Sequence, residues 1–163
     1  MSINYHIFTI TTTYWETIYK KFEKDIFLFS CFKKHIINEN DYIFFYHKNT
    51  GSKNGFLCYC QAETPLIKNT EKIKIFKDDN LNAYYCKLKN MHIFTPLLKI
   101  SKVYSFLSLS ELTVKKFVYR YLRHSEEFLL VPVKLGKLLL LAIDDLCYDE
   151  NIKIHILNNT NEL

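Results

Sequence analysis

The feature that most constrains the fold is a series of short apolar runs separated by polar turns. Residues Asn4 to Thr12 alternate in the manner of a strand, and runs of similar or shorter length follow. Those further runs are Ile26–Phe29, Tyr42–His47, Phe56–Gln61, Ile73–Phe76, Ala83–Leu88 and Ile152–Ile156. The continuously apolar run Tyr42–Tyr46 predicts a strand covered on both faces, as in a compact barrel. The turn-rich segment Lys48–Gly55 predicts a hairpin between two of these runs.

Helical spacing of apolar residues interrupts the strands. It predicts one helix from about Tyr14 to Lys24 and another that ends near His124, begun by a capping box at Ser108–Glu111. Residues Gly136–Leu146 predict a further helix, and Glu127–Val133 a strand before it. A chain of 163 residues has the length of one domain. We therefore expect residues 1–163 to form a single α+β domain, a small β-barrel of about six strands with helices packed outside.

Composition narrows the class of protein. A hydrophobic share of 48% with three glycines excludes disorder and collagen-like repeats. The longest aliphatic run, Leu138–Ile143, is short of the ~20 residues that span a bilayer. No basic and apolar leader opens the chain, so we expect a cytosolic or nuclear protein that is not secreted. Lysine outnumbers arginine, and Asn, Ile, Phe and Tyr are abundant. This bias indicates an AT-rich genome, such as that of a parasite, a low-GC bacterium or a large DNA virus. A viral protein would act in the host cytoplasm.

Charge is distributed unevenly. Residues 1–103 carry 15 lysines against nine acidic residues, whereas residues 104–163 carry a slight acidic excess. A basic first part favours a polyanionic partner such as RNA or DNA, with no membrane partner expected. Codon bias and solvated surface lysines are the alternative explanation. A solvated face is likewise the alternative for Arg120 and Arg123, which share one face of a predicted helix that also holds Lys115 and Lys116.

Motifs for catalysis or cofactors are absent from the sequence. The three glycines form no phosphate-binding loop, and no zinc-protease or nucleophile-elbow motif occurs. Cys58 and Cys60 lack a second ligand pair, so we expect reduced, buried thiols, no metal and no cofactor. The pairs Asp78-Asp79 and Asp144-Asp145 are expected at turns and on the surface. Cys31 and His35 give little support for a hydrolase, although a triad of residues distant in sequence stays open. We expect a non-enzymatic protein.

Several loose motifs, spread from Tyr5 to Leu138, share their order with a known family. The segments are Thr11–Trp15, Ile26–Ser30, Asn38–Tyr46, Gly55-Phe56, Ile75–Asp79, Tyr84–Leu88 and Ser105–Val133. Together they resemble the EVE domain, a relative of the YTH domain in the PUA-like fold. The resemblance implies a PUA-like barrel that reads a modified base of RNA or DNA, on a single strand or flipped from a duplex, in a pocket walled by aromatic rings.

The resemblance also assigns site residues. It places the aromatic walls at Phe27, Phe29 and Phe76, with Trp15 nearby. Hydroxyls that could select the base edge are those of Thr11, Thr12 and Ser30. Phosphate contacts are expected from a lysine-rich rim, Lys33, Lys34, His35 and Lys77.

Two departures from the family pattern support an alternative. Phe27 stands where the family has Trp, and Leu28 stands where it has Gly, which would narrow the cleft. Trp15, Phe27 and Phe29 could equally be core residues. In the alternative, the pocket has degenerated and the chain is a protein–protein interaction or scaffold module.

Overall fold

The structure is a computed structural model that describes residues 2–24, 26–48, 54–75, 82–106, 110–122, 127–149 and 153–157. Residues 145–149 and 153–157 are described by their backbone. The strands in this part of the chain are β1 (Tyr5–Ile10), β2 (Leu28–Cys31), β3 (Tyr42–His47), β4 (Gly55–Ala62), β5 (Ile67–Lys68), β6 (Tyr84–Leu98), β7 (Glu127–Val131) and β8 (Lys153–Leu157). The helices are α1 (Thr12–Phe22), α2 (Ile100–Phe106), α3 (Glu111–Phe117), which a π-helical turn (Val118–Leu122) follows, and α4 (Val133–Asp149).

One curled sheet organises the molecule. Its strands follow the order β2-β6-β4-β3-β1-β7, with β5 and β8 each paired to β6. The β1–β3 pair is parallel, and the remaining pairs are antiparallel. Although β2 and β7 stand at opposite ends of this order, the rings of Phe29 and Phe128 lie with centroids 5.0 Å apart. The sheet therefore curls into a half-barrel, and the predicted mixed α+β class is confirmed.

Both faces of the sheet are buried. Inside the curl, Phe8 and Phe45 pack with α1 in an inner core. On the outer face, Ile7 and Phe44 pack in a second core with residues of α2, α3 and α4. Successive residues of β1 and β3 thus serve opposite cores, because side chains alternate along a strand. This arrangement confirms the prediction that the Tyr42–Tyr46 run is covered on both faces, and β3 and β4 pair as the predicted hairpin.

A buried polar cluster joins the start of β1 to the turn before β3. The carboxylate of Asp41 accepts hydrogen bonds from the backbone N–H groups of Asn4 and Asn38, each at 2.9 Å. It also lies 2.9 Å from Nε2 of His6. Burial lowers the pKa of His6, and the Asp41 hydrogen bond and charge oppose that shift in part. A neutral ring that donates its Nε2 proton satisfies both groups.

Helix α4 packs very closely on β1. A Cβ atom added at Gly136 would lie 2.2 Å from Cγ of Tyr5, far inside van der Waals contact. Glycine is therefore the residue that allows the helix to approach the Tyr5 ring. Among the described residues, no helix is both long enough and apolar enough to cross a bilayer.

Several boundaries differ from the predictions. Strand β6 runs past the expected end at Leu88 to Leu98, and α2 was not predicted. Residues Ile73–Ile75 form an irregular loop and not a strand, because asparagine side chains bind their backbone. Helix α3 is capped by Ser110, whose Oγ accepts a hydrogen bond from the Thr113 N–H at 3.2 Å. That residue lies inside the predicted capping box, whereas Ser108 lies outside the described residues.

Candidate nucleic-acid interface

A cleft of about 700 Å³ opens where β5 ends and β6 begins. We call it the lysine cleft. It is lined by Lys68, Asn69, Lys72, Ile73, Lys74, Asn82, Ala83 and Tyr84. Three ammonium groups and one phenol ring therefore surround one concavity, a combination that suits an anion attached to a flat ring.

Two asparagines build this cleft. The Asn69 side chain donates from Nδ2 to the carbonyls of Ile73 at 2.6 Å and Asn82 at 2.8 Å, and its Oδ1 accepts from the Ile73 N–H at 3.0 Å. The Asn82 Oδ1 in turn accepts from the Ile75 N–H at 2.7 Å. These side-chain bonds satisfy backbone groups that a neighbouring strand would otherwise pair with. They hold the loop after β5 against the start of β6, with the cleft between them.

The lysines project from this tied loop. Lys68 is the last residue of β5 and pairs with Tyr84 in register, and its side chain is exposed. Lys72 has a φ of 54°, a left-handed conformation that reverses the chain direction between Lys68 and Lys74. Exposed ammonium groups on a fixed backbone can contact phosphates with little loss of side-chain solvation.

Tyr84 is the aromatic side chain of the cleft and is half-buried. The start of β6 pairs with β5 on one side and with β2 on the other, so that Lys68 and Cys31 flank Tyr84 in register. Strand β2 runs antiparallel to β6, and Phe32, Lys33 and Lys34 therefore leave the sheet at the end where Ala83 enters it. Phe32 is 54% exposed and Lys33 and Lys34 are exposed, which adds an aromatic ring and two cations to this end of the sheet.

Two rings predicted to wall a pocket are core residues. Phe29 has no exposed surface, and its ring contacts Phe8 and Phe45 with centroids 4.5 and 5.3 Å away. Phe27 is 6% exposed and is stacked on Phe22 of α1 at 5.7 Å. The assignment of these rings as ligand-binding walls is wrong for this structure, because Phe27 is buried against α1 and Phe29 is buried against other strands of the sheet.

The predicted hydroxyls and Trp15 lie in different environments. Ser30 is fully buried, and its Oγ has no hydrogen-bond partner among the described residues, so its assignment as an accessible base-edge contact is also wrong. Thr11 precedes α1, and Thr12 Oγ1 lies 2.8 Å from Nε2 of His47. Trp15 is half-buried and packs against the inner core, with its ring 6.2 Å from that of Phe22.

Of the predicted residues not yet described, the structure shows one, His35. His35 is half-buried, with its ring 5.4 Å from the ring of Phe128 in the inner core. Phe76 and Lys77 lie outside the described residues, as do Asp78 and Asp79. Lys68, Lys72, Lys74 and Tyr84 were not among the predicted site residues. The signal that could have indicated them was the concentration of lysine between Lys68 and Lys77.

The thiols offer no reactive nucleophile in the described part of the chain. Cys31, Cys58, Cys60 and Cys86 are free and buried, as predicted. Burial raises the pKa of Cys31 to about 12 and raises the pKa of the other three as well. The Cys31 thiol instead donates to the Lys33 carbonyl at 3.2 Å and holds the turn after β2. Among the residues described here, no group of three His, Cys, Asp or Glu side chains could hold a metal ion.

No protein-family model matches the chain, and no curated protein matches it. Among solved structures, the chain is similar to one described as a hypothetical protein from Leishmania major, with a TM-score of 0.53 and 11% sequence identity. The match covers 88% of this chain and 97% of that one. At such low identity the similarity shows a common α+β fold alone.

Proposed function

We propose that this chain is a non-enzymatic module that binds single-stranded nucleic acid at the lysine cleft. The observation that carries the proposal is the grouping of Lys68, Lys72 and Lys74 around one cleft whose wall includes the Tyr84 ring. The lysines would neutralise consecutive phosphates, and an unpaired base would stack on Tyr84. A single strand is the expected ligand because a base stacked within a duplex has no free face to offer the Tyr84 ring.

The resemblance to the EVE domain supports the same class of ligand. The loop that resembles the family's Ile-Phe/Trp-x-Asp segment starts at Ile75, directly after the lysines of the cleft. We propose on the same ground that the half-barrel is a PUA-like fold. The proposal does not include a modified-base pocket between α1 and β2, since Phe27 and Phe29 are buried there. Selectivity, if the ligand is modified, would therefore come from the base stacked on Tyr84.

Salt dependence tests the electrostatic part. The variant with Lys68, Lys72 and Lys74 all changed to Ala is titrated with a fluorescein-labelled oligouridine and an oligothymidine between about 50 and 200 mM salt. Each phosphate contact on a single strand contributes about 0.7 to the slope of log K against log salt, so the slope should become shallower by about 2. The matched control changes Lys20, Lys99 and Lys137 to Ala, which removes the same charge from exposed sites elsewhere.

Base stacking is tested at Tyr84. Leucine keeps the apolar contact with the core but has no aromatic face, and stacking contributes about 1–3 kcal/mol per base, so Tyr84→Leu should weaken binding about 5- to 150-fold. The salt slope should stay as in the wild type, because no cation is lost. Equal affinities for the wild type and both cleft variants, or equal losses in the control, would remove the basis of this proposal.

A further inference from the structure

A second basic surface lies on α3 and the π-helical turn. Lys115, Lys116, Tyr119 and Arg120 line a groove of about 640 Å³. Leu112 lies one turn earlier on the same helix and is 63% exposed, while Tyr119 is 67% exposed. We call these five residues the α3 groove. No residue of the lysine cleft belongs to it.

Helix geometry fixes which way this surface points. Leu112 and Lys115 or Lys116 stand at i and i+3 or i+4 in α3, so they share one face, and Tyr119 of the π-helical turn lines one groove with these lysines. The opposite face carries Phe117 and Tyr121, which are buried in the outer core. Since the buried rings anchor the helix, the exposed leucine and tyrosine cannot turn inward. The guanidinium of Arg120 lies 5.5 Å from the centroid of the Tyr121 ring, which holds this cation beside the groove.

The walls of the α3 groove differ in chemistry from those of the lysine cleft. They are mostly apolar, being formed by the Tyr119 ring and the stems of Lys115, Lys116 and Arg120, whereas asparagine side chains contribute polar atoms to the lysine cleft. A shallow apolar groove bordered by cations suits an apolar side chain flanked by carboxylates. Leu112 offers a phosphate or a base neither charge nor an aromatic face.

We infer that the α3 groove is a docking site for an acidic, amphipathic peptide segment of a partner protein. A large apolar side chain of that segment packs on Leu112 and Tyr119. Its carboxylates pair with Lys115, Lys116 and Arg120 around the rim. This is recognition of an amphipathic segment in a groove through a few apolar anchors, with charge complementarity selecting the acidic sequence. The inference does not depend on what the lysine cleft binds.

The test is a selection from a displayed library of random peptides of about 16 residues, with the full chain as bait. Counter-selection uses the Leu112→Ser, Tyr119→Ser double variant, whose changes are at exposed side chains. We expect enriched peptides to contain several Asp or Glu residues with Leu or Phe at helical spacing. The Lys116→Glu, Arg120→Glu variant should bind a synthetic copy of an enriched peptide at least about tenfold more weakly, a loss of about 1.4 kcal/mol.

The control is Lys134→Glu with Lys137→Glu, which makes the same charge change on exposed positions of α4. It should bind the peptide nearly as the wild type does, and circular dichroism melts should confirm that every variant folds. The inference is overturned if no acidic peptide is enriched, or if enriched peptides bind the groove variants as well as the wild type. It is also overturned if the groove variants lose affinity for oligouridine while no peptide binds, because the occupant would then be nucleic acid.

Discussion

Replacing Asn69 by alanine tests whether the lysine cleft is built by the hydrogen bonds of one side chain. Asn69 makes three of them, two to the Ile73 backbone and one to the Asn82 carbonyl. At about 0.5–1.5 kcal/mol per bond, the loss should lower the free energy of unfolding by roughly 2–4 kcal/mol. For a chain of this length that corresponds to a decrease in Tm of about 5–15 °C.

The same change should alter binding in a characteristic way. Asn69→Ala keeps all three lysines, so the number of phosphate contacts available and the salt slope should change little. The loop that positions Lys72 and Lys74 would have to order when the ligand binds, which should weaken oligouridine binding about three- to tenfold. Thr70→Ala is the matched control, since Thr70 is exposed and stands next to Asn69.

Calorimetry and fluorescence anisotropy on the two variants measure both quantities. A Tm within about 1 °C of the wild type, together with unchanged affinity, would refute the argument that Asn69 holds the loop. A lower Tm with unchanged affinity would show that Asn69 stabilises the fold but that the ligand does not need the loop in this conformation.

Two further predictions concern the scaffold. Gly136→Ala should lower the free energy of unfolding by about 1–3 kcal/mol, although alanine favours a helix, because the new Cβ would meet the Tyr5 ring. Ser101→Ala in α2 is the exposed control. An unchanged Tm for Gly136→Ala would contradict the close approach of α4 to β1. Burial lowers the pKa of His6 in the folded protein, so below about pH 6.5 the unfolded chain binds a proton that the folded protein does not. The free energy of unfolding should therefore fall as the pH decreases from about 6.5 toward the lowered pKa, by up to ~1.4 kcal/mol per pH unit. Chemical denaturation of His6→Gln should lack this part of the pH dependence, and parallel curves for the two proteins would show that His6 is not its source.

The sequence was sufficient for features that depend on local pattern. Alternation and apolar runs predicted β1, β3 and β4, since those strands are buried where their own residues are apolar. Side-chain identity could not show which way the rings of β2 face. Phe29 is a core residue because the sheet curls until β2 meets Phe128 of β7, a contact between residues far apart in sequence.

The lysine cleft was missed for a related reason. Its shape depends on Asn69 and Asn82, which are 13 residues apart. Their side chains bind backbone groups, and the spacing of apolar residues along the sequence does not predict such bonds. The Ile73–Phe76 segment has the composition of a strand, and the placement of its described residues, Ile73–Ile75, as a loop results from those side-chain hydrogen bonds. Lysine content favoured a polyanionic partner but could not place the cations around one cleft.

Strand β6 has a consequence for how the chain is made. In the described part of the chain, β2 and β5 pair with no strand other than β6, and β4 pairs with β6 along one of its edges. A nascent chain that ends before Tyr84 therefore exposes unsatisfied backbone along three strands. Strands β2, β4 and β5 can therefore complete their pairing only after residues Tyr84 to Leu98 have been synthesised, and the free edge of β1 is covered later still, by β7.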